Sequence, residues 1–292
     1  GLTLIILMSA ISALLWHMRI IPIFVNFLSI LFKRPLNVSG PIGLSATANI
    51  FLGQVEAPLL IKPYLPSMTR HELLVIMTVG MSTIAGSVMI VYTTLLSPIY
   101  GSDLIGHFLS ASIISVPAGI MFANIMIPSD IKSTFPKEKS ENLYSSGMDA
   151  ITEGTKNGLN IFLNVIAMLI VIMSLVFLLN STLSLLPEIN GSPITLELIL
   201  GYIFSPLAWF MGIPWSESIA AGQLIGIKTV LNEFVAYLYL SDSDSYQLSE
   251  KSRLIMLYAL CGFANFSSCL LYTSPSPRDV EESGIAGCGW KK

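Results

Sequence analysis

The chain has 292 residues, 53% hydrophobic and only 11% charged, with a mean hydropathy of +0.73 and a formal net charge of −3. A water-soluble domain carries about 25% charged residues, so this composition excludes an ordinary soluble globule. The charges are scattered and form no basic patch interleaved with aromatics, which excludes nucleic acid as a partner.

The apolar runs are continuous rather than alternating, which excludes a β-barrel and predicts helices that span a lipid bilayer at roughly 20 residues each. Cys261, Cys269 and Cys288 form no CxxC pair and no disulfide framework. The absence of HExxH, of Gly-x-Ser-x-Gly and of a His-rich cluster argues against an enzyme. Gly1 opens inside an apolar run with no charged n-region, so the start reads as truncated rather than as a signal peptide.

In chain order, residues 1–34 read as the end of a spanning helix, Leu2–Leu15, followed by an interfacial helix over Ile20–Phe32; a second full span is the alternative for the latter. Residues 35–128 hold a first hairpin and two spans. Gly40–Leu65 carries Pro41, Gly43, Gly53, Pro58 and Pro63, too broken for a simple span, and predicts a helical hairpin that enters and leaves on one side. Leu73–Leu96 spans with a weak, polar middle at Gly80, Ser82, Thr83, Gly86 and Ser87, and Leu104–Ile127 spans next.

Residues 129–186 combine a polar loop, Ser129–Lys156, with a long scaffold span, Leu159–Leu186. Residues 187–268 hold a second hairpin at Ile194–Ile213, interrupted by Ser205-Pro206, then a span at Glu217–Leu240, a polar loop at Ser241–Ser252, and a last helix from Leu254. Pro275 and Pro277 stop that helix, and residues 269–292 read as a non-native or out-of-frame tail.

Hairpin plus span thus occurs twice, at 40–98 and 194–240. If both hairpins are re-entrant, Arg19, Lys33, Arg34, Lys62, Arg70, Lys132, Lys137, Lys139, Lys156, Lys251 and Arg253 fall on one side. The opposite loops, near Tyr100–Asp103 and Pro187–Pro193, hold no Lys or Arg. The positive-inside rule makes the first side cytoplasmic. The fold class is therefore an all-α polytopic membrane protein of inverted repeats, with two re-entrant helical hairpins and interrupted transmembrane helices. Paired, Gly/Pro-broken segments in two inverted halves are a mark of secondary transporters, whose site lies near the bilayer midplane.

Polar side chains in such a setting are expensive and therefore candidates for function. Gln54 and Glu56 lie in the first hairpin, Lys228 and Glu233 in an apolar helix, and Asn265, Ser267 and Ser268 near the end. Lys228 paired with Glu233 or Glu56 as a lock between helices is the bland alternative. Carboxylate and carboxamide oxygens accept from sugar hydroxyls, and amide and serine groups donate, so a polar organic solute is implied. Glu217 reads equally as a helix-start acid or a gate. His17, His71 and His107 read as interfacial anchors rather than a proton relay.

Gly53-Gln54-Val55-Glu56-Ala57-Pro58, Ser82-Thr83-Ile84-Ala85-Gly86-Ser87, Leu231-Asn232-Glu233-Phe234-Val235-Ala236-Tyr237 and Gly262-Phe263-Ala264-Asn265-Phe266-Ser267-Ser268 together resemble the concentrative nucleoside transporter family. The resemblance covers residues 1–268. It implies uptake of nucleosides across the cytoplasmic (inner) membrane by alternating access in a homotrimer, driven by sodium or a proton as coupling ion and with no cofactor; sodium is favoured over the proton.

Carried over position by position, the resemblance implies that Gln54, Val55 and Glu56 face the nucleobase and Val88 lines the base pocket. Glu233, Asn265 and Ser268 hold the ribose, and Phe263 packs on the nucleoside. Sodium maps to Asn49, Leu52, Thr83 and Ile84, with Leu52 and Ile84 acting through backbone carbonyls. Val55 stands where many members have Thr, which leaves the base preference open. Passive facilitation of nucleosides, or transport of another polar solute, is the alternative activity.

Overall fold

The computed structural model describes residues 4–21, 23, 27, 40–54, 56–59, 61, 64, 68–101, 103–128, 144–186, 193–241, 248–266 and 268. Most of the expected interfacial helix, Val55, the cations Lys33, Arg34, Lys62, Lys132, Lys137 and Lys139, the 187–192 loop and the 269–292 tail lie outside the described residues, as does the side chain of Glu56.

Regular structure among the described residues is helical. The helices are α1 (Leu4–His17), α2 (Gly40–Ala48), α3 (Glu56–Leu59), α4 (Arg70–Ser82), α5 (Gly86–Tyr100), α6 (Leu104–Met126), α7 (Gly147–Leu183), α8 (Leu196–Phe210), α9 (Trp215–Val230), α10 (Glu233–Ser241) and α11 (Glu250–Leu260). Two stretches there are long and apolar enough to cross a membrane, Arg70–Tyr100 and Leu104–Met126, and the bent pair α8–α9 makes a third if it counts as one span. The helix starts are written in the sequence. Thr69 and Glu72 form a reciprocal capping box on α4, and Ser146, Thr195 and Ser249 accept from backbone N–H groups in the first turns of α7, α8 and α11.

Helix α7 has 37 residues, about 55 Å at 1.5 Å per residue, longer than the ~30 Å hydrocarbon layer. It begins at Gly147, inside the stretch read as a polar loop. Its first turn carries Asp149, whose carboxyl is held below the usual carboxylate range by the Ser145 backbone N–H and hydroxyl. Small residues let α1 lie directly against this helix. A Cβ on Gly154 would come within 2.7 Å of Ala13 Cβ and 2.9 Å of Ala10 Cα, and one on Gly158 within 2.8 Å of Ile6 Cα. The far half of α7 exposes Ile170, Val171, Leu175, Phe177 and Leu178, a surface suited to lipid or apolar protein rather than water.

The expected polar middle of the span at 73–96 is a true break: α4 ends at Ser82, Thr83–Ala85 is non-helical, and α5 starts at Gly86. The first hairpin region breaks likewise after α2, at 49–54. The second hairpin differs from the expectation. Helix α8 runs unbroken through Ser205-Pro206, because the Tyr202 carbonyl, which Pro206 cannot serve, accepts instead from the Ser205 hydroxyl at 3.0 Å.

The chain turns at Met211–Pro214, bends by 117°, and α9 folds back along α8. Gly201 and Gly222 meet at that seam, where a Cβ on Gly222 would stand 2.5 Å from the Gly201 carbonyl oxygen. The span expected at 217–240 is broken too, at Leu231–Asn232, where Asn232 Oδ1 accepts from the Val235 N–H at 2.9 Å and starts α10.

One large apolar core joins α5, α6 and α8–α11 around Tyr92, Phe108, Leu224 and Tyr237, and a second joins α2, α4 and α6 around Ile50, Val79 and Ile120. The helix breaks contribute to both cores, Ile84 and Leu231 to the first and Ile50 to the second.

Candidate functional site

Interruptions in helices leave backbone groups without i−4 partners, and two backbone hydrogen bonds join three of the breaks to one another. The Gly86 N–H at the start of α5 donates to the Phe51 carbonyl beyond α2 at 3.0 Å. The Phe263 N–H, just past α11, donates to the Thr83 carbonyl at 3.3 Å. Gly262 makes this second approach possible. Its φ is +138°, and a Cβ there would lie 2.8 Å from the Ser82 carbonyl oxygen, so any other residue meets both backbone strain and a clash.

Side chains extend the same cross-links. Gln54 Nε2 donates to Ser268 Oγ at 3.1 Å, across 214 positions of sequence. The Ser268 N–H donates to Asn265 Oδ1 at 2.8 Å, and Asn265 Nδ2 donates to Glu233 Oε2 at 2.9 Å. The other carboxylate oxygen, Oε1, accepts from the Tyr92 hydroxyl at 2.8 Å. A single hydrogen-bonded run therefore connects Gln54, Ser268, Asn265, Glu233 and Tyr92. Glu233, Asn265 and Ser268 are all buried. Each charged or polar member has a partner, as burial in a medium of low dielectric demands.

Of the eight residues expected to bind substrate, the structure brings Gln54, Glu233, Asn265 and Ser268 into that run. Val88 and Phe263, both half-buried, pack at the edge of the large core. Val55 and the Glu56 side chain lie outside the described residues. Tyr92 was not anticipated: a tyrosine in an apolar helix reads as packing, and only its proximity to Glu233 marks it. Its ring does pack, 4.8 Å from Tyr237 and 6.2 Å from both Phe108 and Phe234 between centroids.

Lys228, for which an ion pair with Glu233 or Glu56 is the bland alternative, makes its hydrogen bond elsewhere; the Glu56 side chain lies outside the described residues. The Lys228 ammonium donates to the Ala259 carbonyl in the last turn of α11 at 2.9 Å, where the orphan carbonyls of a helix end favour a cation. It thus ties α9 to α11 through the backbone. Glu217, at the start of α9, accepts from the Ser249 backbone N–H at 3.2 Å and hydroxyl at 3.0 Å, which joins α9 to α11 at the other end.

The four residues expected to hold sodium come together on the two facing breaks. Asn49 and Leu52 lie on the stretch after α2, Thr83 and Ile84 on the stretch between α4 and α5, and all four are buried. The Thr83 hydroxyl donates to the Val79 carbonyl at 3.1 Å, which leaves its lone pairs available. Asn49 is fully enclosed, and neither its carboxamide oxygen nor its nitrogen has a hydrogen-bond partner. A buried carboxamide left unsatisfied costs about 1–3 kcal/mol, which makes Asn49 the candidate ligand-binding group on this break. Neutral oxygens on unwound backbone suit a hard monovalent cation. No group of three or more His, Cys, Asp or Glu capable of holding a metal occurs among the described residues.

Interrupted helices carrying a buried carboxylate and carboxamides at their breaks define a membrane transporter for a polar solute. Comparison with known proteins places the chain within that class. Residues 107–273 match the family model for the Na+ dependent nucleoside transporter C-terminus, and residues 2–99 match one for nucleoside recognition. The chain is 41% identical over 300 residues to the uncharacterized transporter YutK of Bacillus subtilis, covering 99% of this chain and 72% of that protein. It is 39% identical over 272 residues to the nucleoside permease NupC of Helicobacter pylori, covering 91% of this chain and 64% of that one.

Among solved structures, that of CNTnw in an inward-facing substrate-bound state is similar with a TM-score of 0.85 and 33% identity, over 99% of this chain and 68% of that one. A doubly substituted variant of CNTnw in an outward-facing state is similar with a TM-score of 0.83 and 32% identity, over the same shares. The chain belongs to the concentrative nucleoside transporter family, a family of membrane transporters and not of enzymes.

Proposed function

We propose that the protein takes up nucleosides by cation-coupled symport, with sodium as the coupling ion. The observation that carries this reading is the orphaned Asn49 carboxamide on one helix break, five residues before Gln54, the first member of the hydrogen-bonded run to Glu233. In this reading Glu233, Asn265 and Ser268 bind the ribose hydroxyls, Gln54 with Val55 and Glu56 reads the base edge, and Val88 and Phe263 pack on the rings. Asn49 and Thr83 supply side-chain oxygens to sodium, and Leu52 and Ile84 supply carbonyls.

Two hydrogen bonds support the coupling. The Gly86–Phe51 hydrogen bond clamps the two ion-site breaks together, and the Thr83–Phe263 hydrogen bond joins one of them to the substrate side. An ion that orders Asn49 and Thr83 thereby orders Gln54 and Phe263, and by linkage the nucleoside tightens the ion to the same degree. Alternating access is supported by the similarity to both inward- and outward-facing forms of CNTnw. The proposed setting is the cytoplasmic membrane, in a homotrimer whose copies meet along the exposed apolar face of α7.

The test is labelled-uridine uptake into proteoliposomes under an inward sodium gradient, an inward proton gradient, and neither. Accumulation above the external concentration only with sodium is expected. Equilibration without accumulation under every condition would make the protein a passive facilitator.

A further inference from the structure

We infer that Tyr92 is a positioning residue for sugar recognition, holding the Glu233 carboxylate in the orientation that reads ribose hydroxyls; this rests on the nucleoside reading above. Tyr92 lies on α5, one turn beyond Val88, and is 1% exposed. Its hydroxyl donates to Glu233 Oε1 at 2.8 Å while Asn265 Nδ2 donates to Oε2 at 2.9 Å.

The two donors come from different elements, α5 and the break after α11, and the carboxylate comes from a third, α10. Each oxygen takes a side-chain donor from a different element, which restrains the orientation of the carboxylate. Each oxygen keeps further lone-pair capacity, which a pair of adjacent hydroxyls can use. The phenol is uncharged at neutral pH, so it restrains the carboxylate without neutralising it. Lys228, the nearby cation, gives its hydrogen bond to the Ala259 carbonyl instead. Tyr92 therefore supplies what no other buried donor on α5 supplies, and the rings of Phe108, Phe234 and Tyr237 set its position.

A tyrosine that merely fills space would stabilise binding of every nucleoside alike. A tyrosine that aims Glu233 affects only those ligands whose hydroxyls Glu233 reads. The experiment is competition binding of labelled uridine in nanodiscs, comparing uridine with 2′,3′-dideoxyuridine, for the unmodified protein and for Tyr92→Phe, which keeps the ring and removes one oxygen.

Loss of a hydrogen bond to a charged group predicts about a tenfold weaker uridine affinity. The dideoxy analogue should change less than about twofold, so the discrimination between the two shrinks by nearly the same tenfold. In a Glu233→Gln background the tyrosine substitution should add little, because the charged acceptor is already gone. Equal weakening of both ligands, no change in either, or a full additional loss in the Glu233→Gln background would each overturn the assignment. An unmodified protein that binds neither ligand would instead overturn the nucleoside reading on which it rests.

Discussion

The pair α1–α7 and the group α4, α5, α9, α10 and α11 use the same apolar alphabet to opposite ends. In the first, two helices run without interruption and touch through Gly154 and Gly158, so close that an added Cβ would meet backbone atoms of α1 within 3 Å. In the second, every helix begins or ends at a break inside the fold, and the freed backbone groups are satisfied across elements: Phe51 by Gly86, Thr83 by Phe263, Ala259 by Lys228. Unbroken helices satisfy their own backbones and have only side-chain surface to offer. Broken ones must find partners, and the partners they find bring Gln54, Glu233, Asn265 and Ser268 together. In a bilayer that arrangement is tolerated only where protein or a water-lined cavity covers it. The rigid pair and the broken group are thus suited to be frame and moving part.

The largest effect that separates the two regions is expected at Glu233. Glu233→Gln keeps the size and one acceptor but removes the charge that Tyr92 and Asn265 both serve. Hydrogen bonds to charged groups are worth about 1.5–3 kcal/mol, so uridine uptake at low concentration should fall roughly 10- to 100-fold. Membrane insertion should be unaffected. A variant that transports normally would remove Glu233 from the site.

Gly154→Leu should do the reverse. Its side chain would be driven into Ala13 and Ala10, and overpacking of this kind costs about 1–3 kcal/mol. A lower unfolding midpoint with unchanged preference among nucleosides is expected in the folded fraction. A change in that preference would show that the frame and the site are not separable.

The same contrast explains what could be read from the sequence. The break at Asn49–Gln54 was legible because carboxamides and glycine stand in an apolar run flanked by proline, and the break at Thr83–Ala85 because small polar residues thin out the span. The position of Leu231–Asn232 was not. Its cue is a cap, Asn232 accepting from the Val235 N–H, and a lone Asn before Glu233 looks like a polar residue inside a helix. The partner of Lys228 was not legible either: a carboxylate five residues away suggests an ion pair as one alternative, but the ammonium bonds a carbonyl at a helix end 31 positions away. Tyr92 carried no signal of its own, since an aromatic in an apolar helix is ordinary core until Glu233, 141 positions distant, is brought to its hydroxyl.

Ser205-Pro206 is the converse case, a sequence break with no structural one, and it yields the smallest of the expected effects. In α8 the proline removes a donor to the Tyr202 carbonyl, and the Ser205 hydroxyl replaces it at 3.0 Å. The Ser97-Pro98 pair in α5 repeats the device, with the Ser97 hydroxyl donating to the Thr94 carbonyl at 3.3 Å. If the serine is what lets the helix continue, Ser205→Ala alone leaves that carbonyl unserved and costs about 1 kcal/mol, a fall of roughly 2 °C in the unfolding midpoint. Pro206→Ala restores the backbone N–H, so the serine then has nothing to replace, and the same Ser205→Ala change in that background should cost much less. Midpoints from the four proteins of this double-mutant cycle give the coupling directly. Additive losses would mean that Pro206 is accommodated by the packing of α8 on α9, through Gly201 and Gly222, rather than by its neighbour's hydroxyl.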